Sequence, residues 1–534
     1  MTSTTLTQSD HLVEEPFRSR RNTWNNHVRR HATMKPDEVA LRFQAKDTSW
    51  KELDERSSAF AAALYRRGVR FGDRVLMLML NRTEYVEAIF GATLIGAIAV
   101  PVNIRMTPPE VAFLVADSGA KVIVTESLLA PLADAVRGST DGIEHLIIVG
   151  PSDVADALDF EQLVAEDSGD LPAIDVPENS IAMIMYTSGT TGKPKGAMLS
   201  HANMQAQAVT CISALHIRND DVGSCVAPMF HIAAMGAMAP LFYMGVPTVI
   251  HPLGAFDPEA LLDVLEKEGI TSIFLVPAQW QVVCAVQQAK PRSLKLRVIS
   301  WGAAPASDTV LQAMADTFPD AINVAVFGQT EMSPITCVLE GKDALRKLGS
   351  VGQVIPAVQA RVVDAEMKDV APGEVGEIVY RGPTMMEGYW QNPQGTADAF
   401  AGGWFHSGDL VRVDDEGFVY VVDRKKDMII SGGENIYCAE VENALFAHPK
   451  ILEAAVVGKA DERWGEVPVA IVVLKPGEEL SFDELIEFLN EHLARFKQPK
   501  EMIVIDELPR NASGKVVKPS LRKEYGGKDA GLQH

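Results

Sequence analysis

Seven short apolar runs recur between residues 40 and 330, at 75–80, 121–125, 145–149, 181–186, 272–276, 297–300 and 323–327, and stretches of helical periodicity such as 50–67 and 259–268 lie between them. This alternation constrains the fold more than any other feature of the chain. A strand that leads into a helix and then into another strand must cross over its own sheet, so the strands run parallel and helices cover the faces. Such sheets are buried on both sides and need many apolar residues, which make up 47% of the 534 residues.

After about Gly349 the pattern changes. Residues 376–380, 410–413 and 418–422 read as strands joined by turns such as Asp415-Glu416-Gly417. From Asp427 a shorter α/β pattern follows, with helices expected at 439–447 and 482–493 and strands at 453–458 and 467–474. The charged run Asp423-Arg424-Lys425-Lys426-Asp427 marks a boundary. The expectation is an α/β fold: a large N-terminal domain, residues 1–425, of parallel α/β sheets plus a small β-barrel-like part, and a small C-terminal α+β domain, residues 426–534.

Composition removes several classes of function. The net charge of −22 argues against a nucleic-acid binder, which needs a basic face to displace counterions from phosphates, while leaving room for a local basic pocket around a small phosphate ligand. The five cysteines, Cys211, Cys225, Cys284, Cys337 and Cys438, form no C-x-x-C pair and read as buried thiols of a reducing cytoplasm. Residues 1–17 are polar and lack an apolar signal core. Residues 232–250 carry no charge, but Gly236, Pro240, Gly245 and Pro247 interrupt them. A buried helix followed by a buried strand is expected there, with no transmembrane segment and at most peripheral membrane contact.

The densest chemical signal is Tyr186-Thr187-Ser188-Gly189-Thr190-Thr191-Gly192-Lys193-Pro194-Lys195-Gly196, directly after an apolar run. Its glycines permit a tight turn that aims backbone N–H groups at phosphate oxygens, and its hydroxyls and lysines add donors and positive charge. It is not the P-loop of transport or motor ATPases, which requires Ser or Thr after Gly-Lys where Pro194 stands here. The loop resembles the phosphate loop of the adenylate-forming superfamily, which includes acyl-CoA synthetases, luciferases and the adenylation domains of peptide synthetases. Further motifs occur in the family's order from about residue 30 to 520, so the resemblance spans nearly the whole chain.

The resemblance implies roles residue by residue. Thr187, Ser188, Gly189, Thr190, Thr191, Gly192, Lys193 and Lys195 would bind ATP phosphates, with Thr187 also near the metal. Gly302, Ala303 and Ala304, ahead of Pro305, resemble the segment that packs on adenine. Phe327-Gly328-Gln329-Thr330-Glu331 resembles the family's Y-G-x-T-E segment, with Phe327 in place of the usual Tyr. It would put Thr330 near the α-phosphate and Glu331 on Mg²⁺, a hard cation suited to carboxylate and phosphate oxygens. Asp409 of Ser407-Gly408-Asp409 and Arg424 would hold the ribose, and Lys426 would be the hinge of a mobile C-terminal domain. Lys515 of Asn511-Ala512-Ser513-Gly514-Lys515 would be the catalytic lysine. Phe230 and His231 resemble the aromatic–His pair beside the acyl pocket. Trp280 of Val276-Pro277-Ala278-Gln279-Trp280 resembles a gating tryptophan of long-chain fatty acyl-CoA synthetases. Ser431, Gly432, Gly433 and Glu434 resemble the loop lining the tunnel for coenzyme A.

These motifs imply two half-reactions: a carboxylate and ATP give acyl-AMP and pyrophosphate, and CoA then gives acyl-CoA and AMP. ATP, Mg²⁺ and CoA are the expected cosubstrates. The overall texture is most similar to bacterial fatty acyl-CoA ligases. With no charge placed to meet a second polar group, a medium- or long-chain fatty acid is the favoured substrate. An aromatic, terpenoid or steroid side-chain acid stays open, as does an acyl-AMP ligase that loads a carrier protein. Family membership also suggests a homodimer. A nucleotide-binding scaffold without catalysis is disfavoured by the presence of Glu331, Asp409, Arg424 and Lys515.

Overall fold

The computed structural model describes residues 21–166, 171–172, 174–187, 194–304, 306–510 and 516–526. They fall into two compact units, one of residues 21–187, 194–359 and 381–400, the other of residues 360–380 and 401–526.

In the first unit the expected parallel strands form two sheets. One has the order Gln353–Val354, Ile335–Glu340, Ile322–Gly328, Val298–Gly302, Ser272–Leu275, Gly223–Cys225, Thr248–Ile250, Val39–Phe43, Lys46–Ser49. The other runs Gly388–Tyr389, Lys195–Ser200, Ile181–Thr187, Ile98–Pro101, Arg74–Leu78, Ala120–Glu126, His145–Val149, Leu158–Asp159. Their centres are parallel, as the alternation requires. One edge of each is not: Ile181–Thr187 pairs antiparallel with Lys195–Ser200, and Ile322–Gly328 with Ile335–Glu340. Connections this short cannot carry a crossover, so the chain turns straight back.

Local chemistry sets the helix ends. Ser49 and Glu52 form a reciprocal capping box, with Ser49 N–H donating to Glu52 at 2.8 Å, and so start Trp50–Arg66. Asp257 caps Pro258–Glu268, and Gly269, at φ +64°, ends it in the left-handed conformation. The charge-free stretch divides as its glycines and prolines suggest, into the helix Ile232–Met244 and the strand Thr248–Ile250. Among the described residues no helix is long and apolar enough to cross a membrane.

The second unit holds the antiparallel sheet Gln359–Val363, Gly376–Arg381, Phe405–Val413, Val419–Arg424 and a second sheet built on the long hairpin Ile451–Asp461 and Gly465–Leu474. Helices Cys438–Phe446 and Phe482–Leu489 bury Val441, Leu445, Leu485 and Leu489 against it. The sheet before residue 425 thus belongs to the same compact unit as the chain after it. None of the five cysteines forms a disulfide, and all are buried.

Two features of the first unit carry stability predictions. Arg56 clamps the buried Glu87 through bonds of 2.7 and 2.9 Å and also reaches Glu161, tying three helices together. Arg56→Met leaves the Glu87 carboxylate unpaired and should destabilise this unit by about 3–5 kcal/mol, read as a lower urea midpoint of its transition. Burial pushes the imidazoles of His201 and His251 down to about 4. The unfolded chain binds their protons near 6.5 and the folded one does not, so stability should fall as pH drops from about 6.5 towards 4. His201→Gln should flatten that slope in melting curves taken across the window.

Candidate active site

In the first sheet the strands Gly223–Cys225, Ser272–Leu275, Val298–Gly302 and Ile322–Gly328 are mutually parallel neighbours. The segments that leave their carboxyl ends therefore share one edge, the edge where open α/β sheets bind ligands. Phe230-His231, Ala303-Ala304 and Gln329-Thr330-Glu331 all follow such ends, so the sequence-expected acyl, adenine and metal segments are brought together.

The two inner strands approach closely. A β-carbon on Gly302 would lie 2.3 Å from the Val326 carbonyl oxygen, and one on Gly328 would lie 1.9 Å from that of Pro334. Only glycine fits at either position. Ala303 takes φ +63°, a strained choice for alanine, immediately after Gly302. Thr330–Met332 then forms a single tight turn, closed by Gln329 N–H to the Pro334 carbonyl at 2.8 Å.

Glu331 is buried in that turn. Its Oε1 accepts the Tyr389 hydroxyl at 3.0 Å, and its carbonyl accepts Met386 N–H at 2.8 Å. Among the described residues no three His, Cys, Asp or Glu side chains cluster as a metal cage. One buried carboxylate suits Mg²⁺ that arrives with its phosphates, since this ion keeps few protein ligands. Phe230 is buried and its ring centroid lies 4.8 Å from that of His231, which starts the helix Ile232–Met244.

In the second sheet, Ile181–Thr187 and Lys195–Ser200 flank the segment expected to bind phosphates. Ser188, Gly189, Thr190, Thr191, Gly192 and Lys193 lie outside the described residues, as do Pro305 and the whole of Asn511–Lys515. The residues flanking that segment are fixed: Thr187 and Lys195 are ladder partners, and the Thr187 hydroxyl donates to the Lys195 carbonyl at 3.4 Å. Tyr186 anchors the entering strand through its hydroxyl, which donates to Asp117 at 2.6 Å. Lys195 Nζ lies 5.0 Å from the Tyr389 ring centroid.

Trp280, the expected gating residue, sits on the helix Pro277–Ala289. It is fully buried, its Nε1–H donates to the Ser300 carbonyl at 3.0 Å, and its ring packs edge-on to Phe318 at 5.6 Å. This is how a core tryptophan satisfies its one polar atom.

In the second unit, Asp409 and Arg424 are cross-strand partners, joined Nε to Oδ1 at 2.7 Å. Ser407 Oγ accepts Asp409 N–H at 3.0 Å and so fixes the turn before it. Burial, helped by the nearby cations Arg424, Arg522 and Lys518, lowers the pKa of Lys426 against the pull of Asp427. Asp427 is held by Arg522 at 2.5 Å, and Lys518 pairs with Glu442 at 2.8 Å. Ser431 and Glu434 are rung partners in a hairpin whose tip is Gly432-Gly433. Gly432, at φ +62°, lies so close to the exposed Trp464 that a β-carbon would meet its ring at 2.6 Å. The sequence reading passed over both Trp464 and Tyr389. A Gly-aromatic-aromatic run, Gly388-Tyr389-Trp390, was the available signal for the latter.

Comparison with known proteins places this geometry. Residues 28–390 match the AMP-binding enzyme family, and residues 440–515 match the AMP-binding enzyme C-terminal domain. A feruloyl-CoA synthase from Amycolatopsis sp is 38% identical over 93% of this chain and 98% of its own length. The long-chain-fatty-acid–CoA ligase FadD13 of Mycobacterium tuberculosis is 34% identical over 93% of this chain and 97% of its own. The o-succinylbenzoate CoA synthetase of Bacillus subtilis, solved with its acyl-adenylate intermediate, superposes with a TM-score of 0.83 at 31% identity, covering 94% of this chain and 99% of that one. The chain belongs to the AMP-binding enzyme family and is an AMP-forming acyl- or aryl-CoA ligase that uses ATP, magnesium and CoA.

Proposed function

We propose that the acid activated by this ligase is an apolar monocarboxylic acid, with a medium- or long-chain fatty acid as the first candidate. The observation that carries this reading is the stretch 226–250, which contains Phe230, His231 and the helix Ile232–Met244 and bears no charged side chain. A second carboxylate or an ammonium group on the substrate would be buried there without a partner, at a cost of several kcal/mol. Each substrate methylene buried instead contributes about 0.8 kcal/mol. A hydroxycinnamate-like aromatic acid is the second reading, favoured by the 38% identity to a feruloyl-CoA synthase. The five buried thiols support a cytoplasmic setting.

In the first half-reaction the substrate carboxylate attacks the α-phosphorus of ATP, and pyrophosphate leaves. Lys193, Lys195 and the hydroxyls of the 187–191 loop offset charge on the departing group, Asp409 and Arg424 hold the ribose, and Thr330 steadies the α-phosphate. Glu331 would hold Mg²⁺, which supplies Lewis-acid stabilisation of the phosphate oxygens. Lys515 neutralises charge between the carboxylate and the phosphate. In the second half-reaction residues 426–534 turn about Lys426, withdrawing Lys515 and bringing the Ser431–Glu434 hairpin to the CoA thiol. The thiol sulfur attacks the acyl carbon, the mixed anhydride breaks and AMP leaves. The closing motion is a gate between the two steps.

Two measurements test this reading. AMP release should be followed with fatty acids of graded length and with aromatic acids, each with and without CoA. Multiple turnovers only with CoA, and a rate that climbs with chain length to an optimum, are expected. A preference for hydroxycinnamates selects the second reading, and pyrophosphate release indifferent to CoA points to a carrier protein as acceptor. Lys515→Ala should lower acid-dependent ATP–pyrophosphate exchange by roughly 100-fold or more while largely sparing thioester formation from supplied acyl-AMP. Equal loss in both half-reactions contradicts the role given to Lys515.

A further inference from the structure

A buried carboxylate holds one orientation only when its oxygens are engaged. Glu331 is 8% exposed, and Tyr389 engages it: the phenol donates to Oε1 at 3.0 Å. The backbone of Glu331 is held by the same segment, through the bond from Met386 N–H. Tyr389 is itself fixed on three sides. It pairs with Ala197 across the Lys195–Ser200 strand, its N–H donates to Thr396 Oγ1 at 2.9 Å, and the next residue, Trp390, donates its N–H to the Gly196 carbonyl at 2.7 Å. Gly388, at φ +139°, leads into this rung, and a β-carbon there would lie 2.9 Å from Thr396 Cγ2.

The same ring lies 5.0 Å from Lys195 Nζ, a cation–π distance. One side chain therefore touches the lysine that follows the phosphate loop and the carboxylate of the turn after Ile322–Gly328. These two groups come from different sheets and are far apart in sequence. Nothing in the 186–196 or 327–331 motifs alone would fix their separation.

We propose that Tyr389 is a positioning residue for adenylation, whose hydroxyl sets the Glu331 carboxylate to receive the nucleotide's divalent cation and whose ring holds Lys195 alongside. The proposal rests on the reading of Glu331 as the metal carboxylate. It assigns separable jobs to the two parts of the side chain. The hydroxyl governs the cation requirement, and the ring governs the placement of Lys195.

The test titrates Mg²⁺ against Tyr389→Phe, Tyr389→Leu and Glu331→Gln in the full-length chain. Two readouts are taken: pyrophosphate release with a saturating acid, and calorimetric ATP binding without any acid. Loss of an orienting partner of a metal ligand typically lowers metal affinity or activity by about 10–100-fold. Tyr389→Phe should need about tenfold more Mg²⁺ in both readouts, with a smaller effect on acyl transfer from supplied acyl-AMP. Tyr389→Leu should add a loss of ATP affinity that extra Mg²⁺ does not restore. If Tyr389→Phe keeps the wild-type Mg²⁺ curves while Glu331→Gln shifts them, the role of Tyr389 is overturned and that of Glu331 survives. If Glu331→Gln leaves the curves unmoved, the metal assignment falls and the proposal with it. A Tyr389→Phe protein that melts lower and slows both half-reactions equally, with an unchanged Mg²⁺ requirement, reduces the residue to a structural part and also overturns the proposal.

Discussion

The candidate site depends on two places where one strand has no room for a side chain. Gly302 faces the Val326 carbonyl and Gly328 faces the Pro334 carbonyl, both inside the distance a β-carbon would need. Because the strands close up there, Ile322–Gly328 can end level with its neighbour and the chain can reverse at once into Ile335–Glu340. Thr330 and Glu331 are the residues of that reversal. Glycine at these positions therefore serves backbone packing first, and the opening it leaves at the sheet edge follows from that packing.

Most of the parallel strands of both sheets were legible in the sequence because a buried parallel strand needs an apolar run and a helix after it, whereas the central Ile98–Pro101 and Gly223–Cys225, four and three residues long, are too short to stand out as runs. All seven runs are strands, from Arg74–Leu78 to Ile322–Gly328. The antiparallel edges were not legible. Lys195–Ser200, Ile335–Glu340 and Lys46–Ser49 each return antiparallel along the strand just before them with no crossover helix between, so the strand–helix alternation that marks the parallel strands is missing. Among site residues, those within one contiguous motif were readable as a group. Tyr389 was not, because it meets Glu331 across 58 residues of sequence. Trp280 carries a motif resemblance, yet its place is set by the Ser300 carbonyl and Phe318, partners that spacing does not reveal.

The second unit concentrates its charge around the proposed hinge. Asp427 with Arg522 and Glu442 with Lys518 join parts of the chain that all lie after residue 426. Asp423, before it, accepts Ala439 N–H at 3.3 Å near the start of the Cys438–Phe446 helix, where Tyr437 offers no side-chain cap. A turn about Lys426 could keep the first two pairs intact. It would exchange the third for water at little cost, since a helix N-terminus and a carboxylate are both well hydrated when apart. Such a balance suits an element that must reside in two positions of similar free energy.

The burial of every cysteine has a practical side. Burial pushes the Cys211 and Cys225 thiols up to about 12, and all five are shielded from solvent. Thiol-directed dyes attack the exposed thiolate. A single cysteine engineered onto the surface of the chain would then be labelled against a silent background, without first stripping the native ones. With one such cysteine on each side of Lys426, fluorescence distance measurements would time the proposed turn about this residue turnover by turnover.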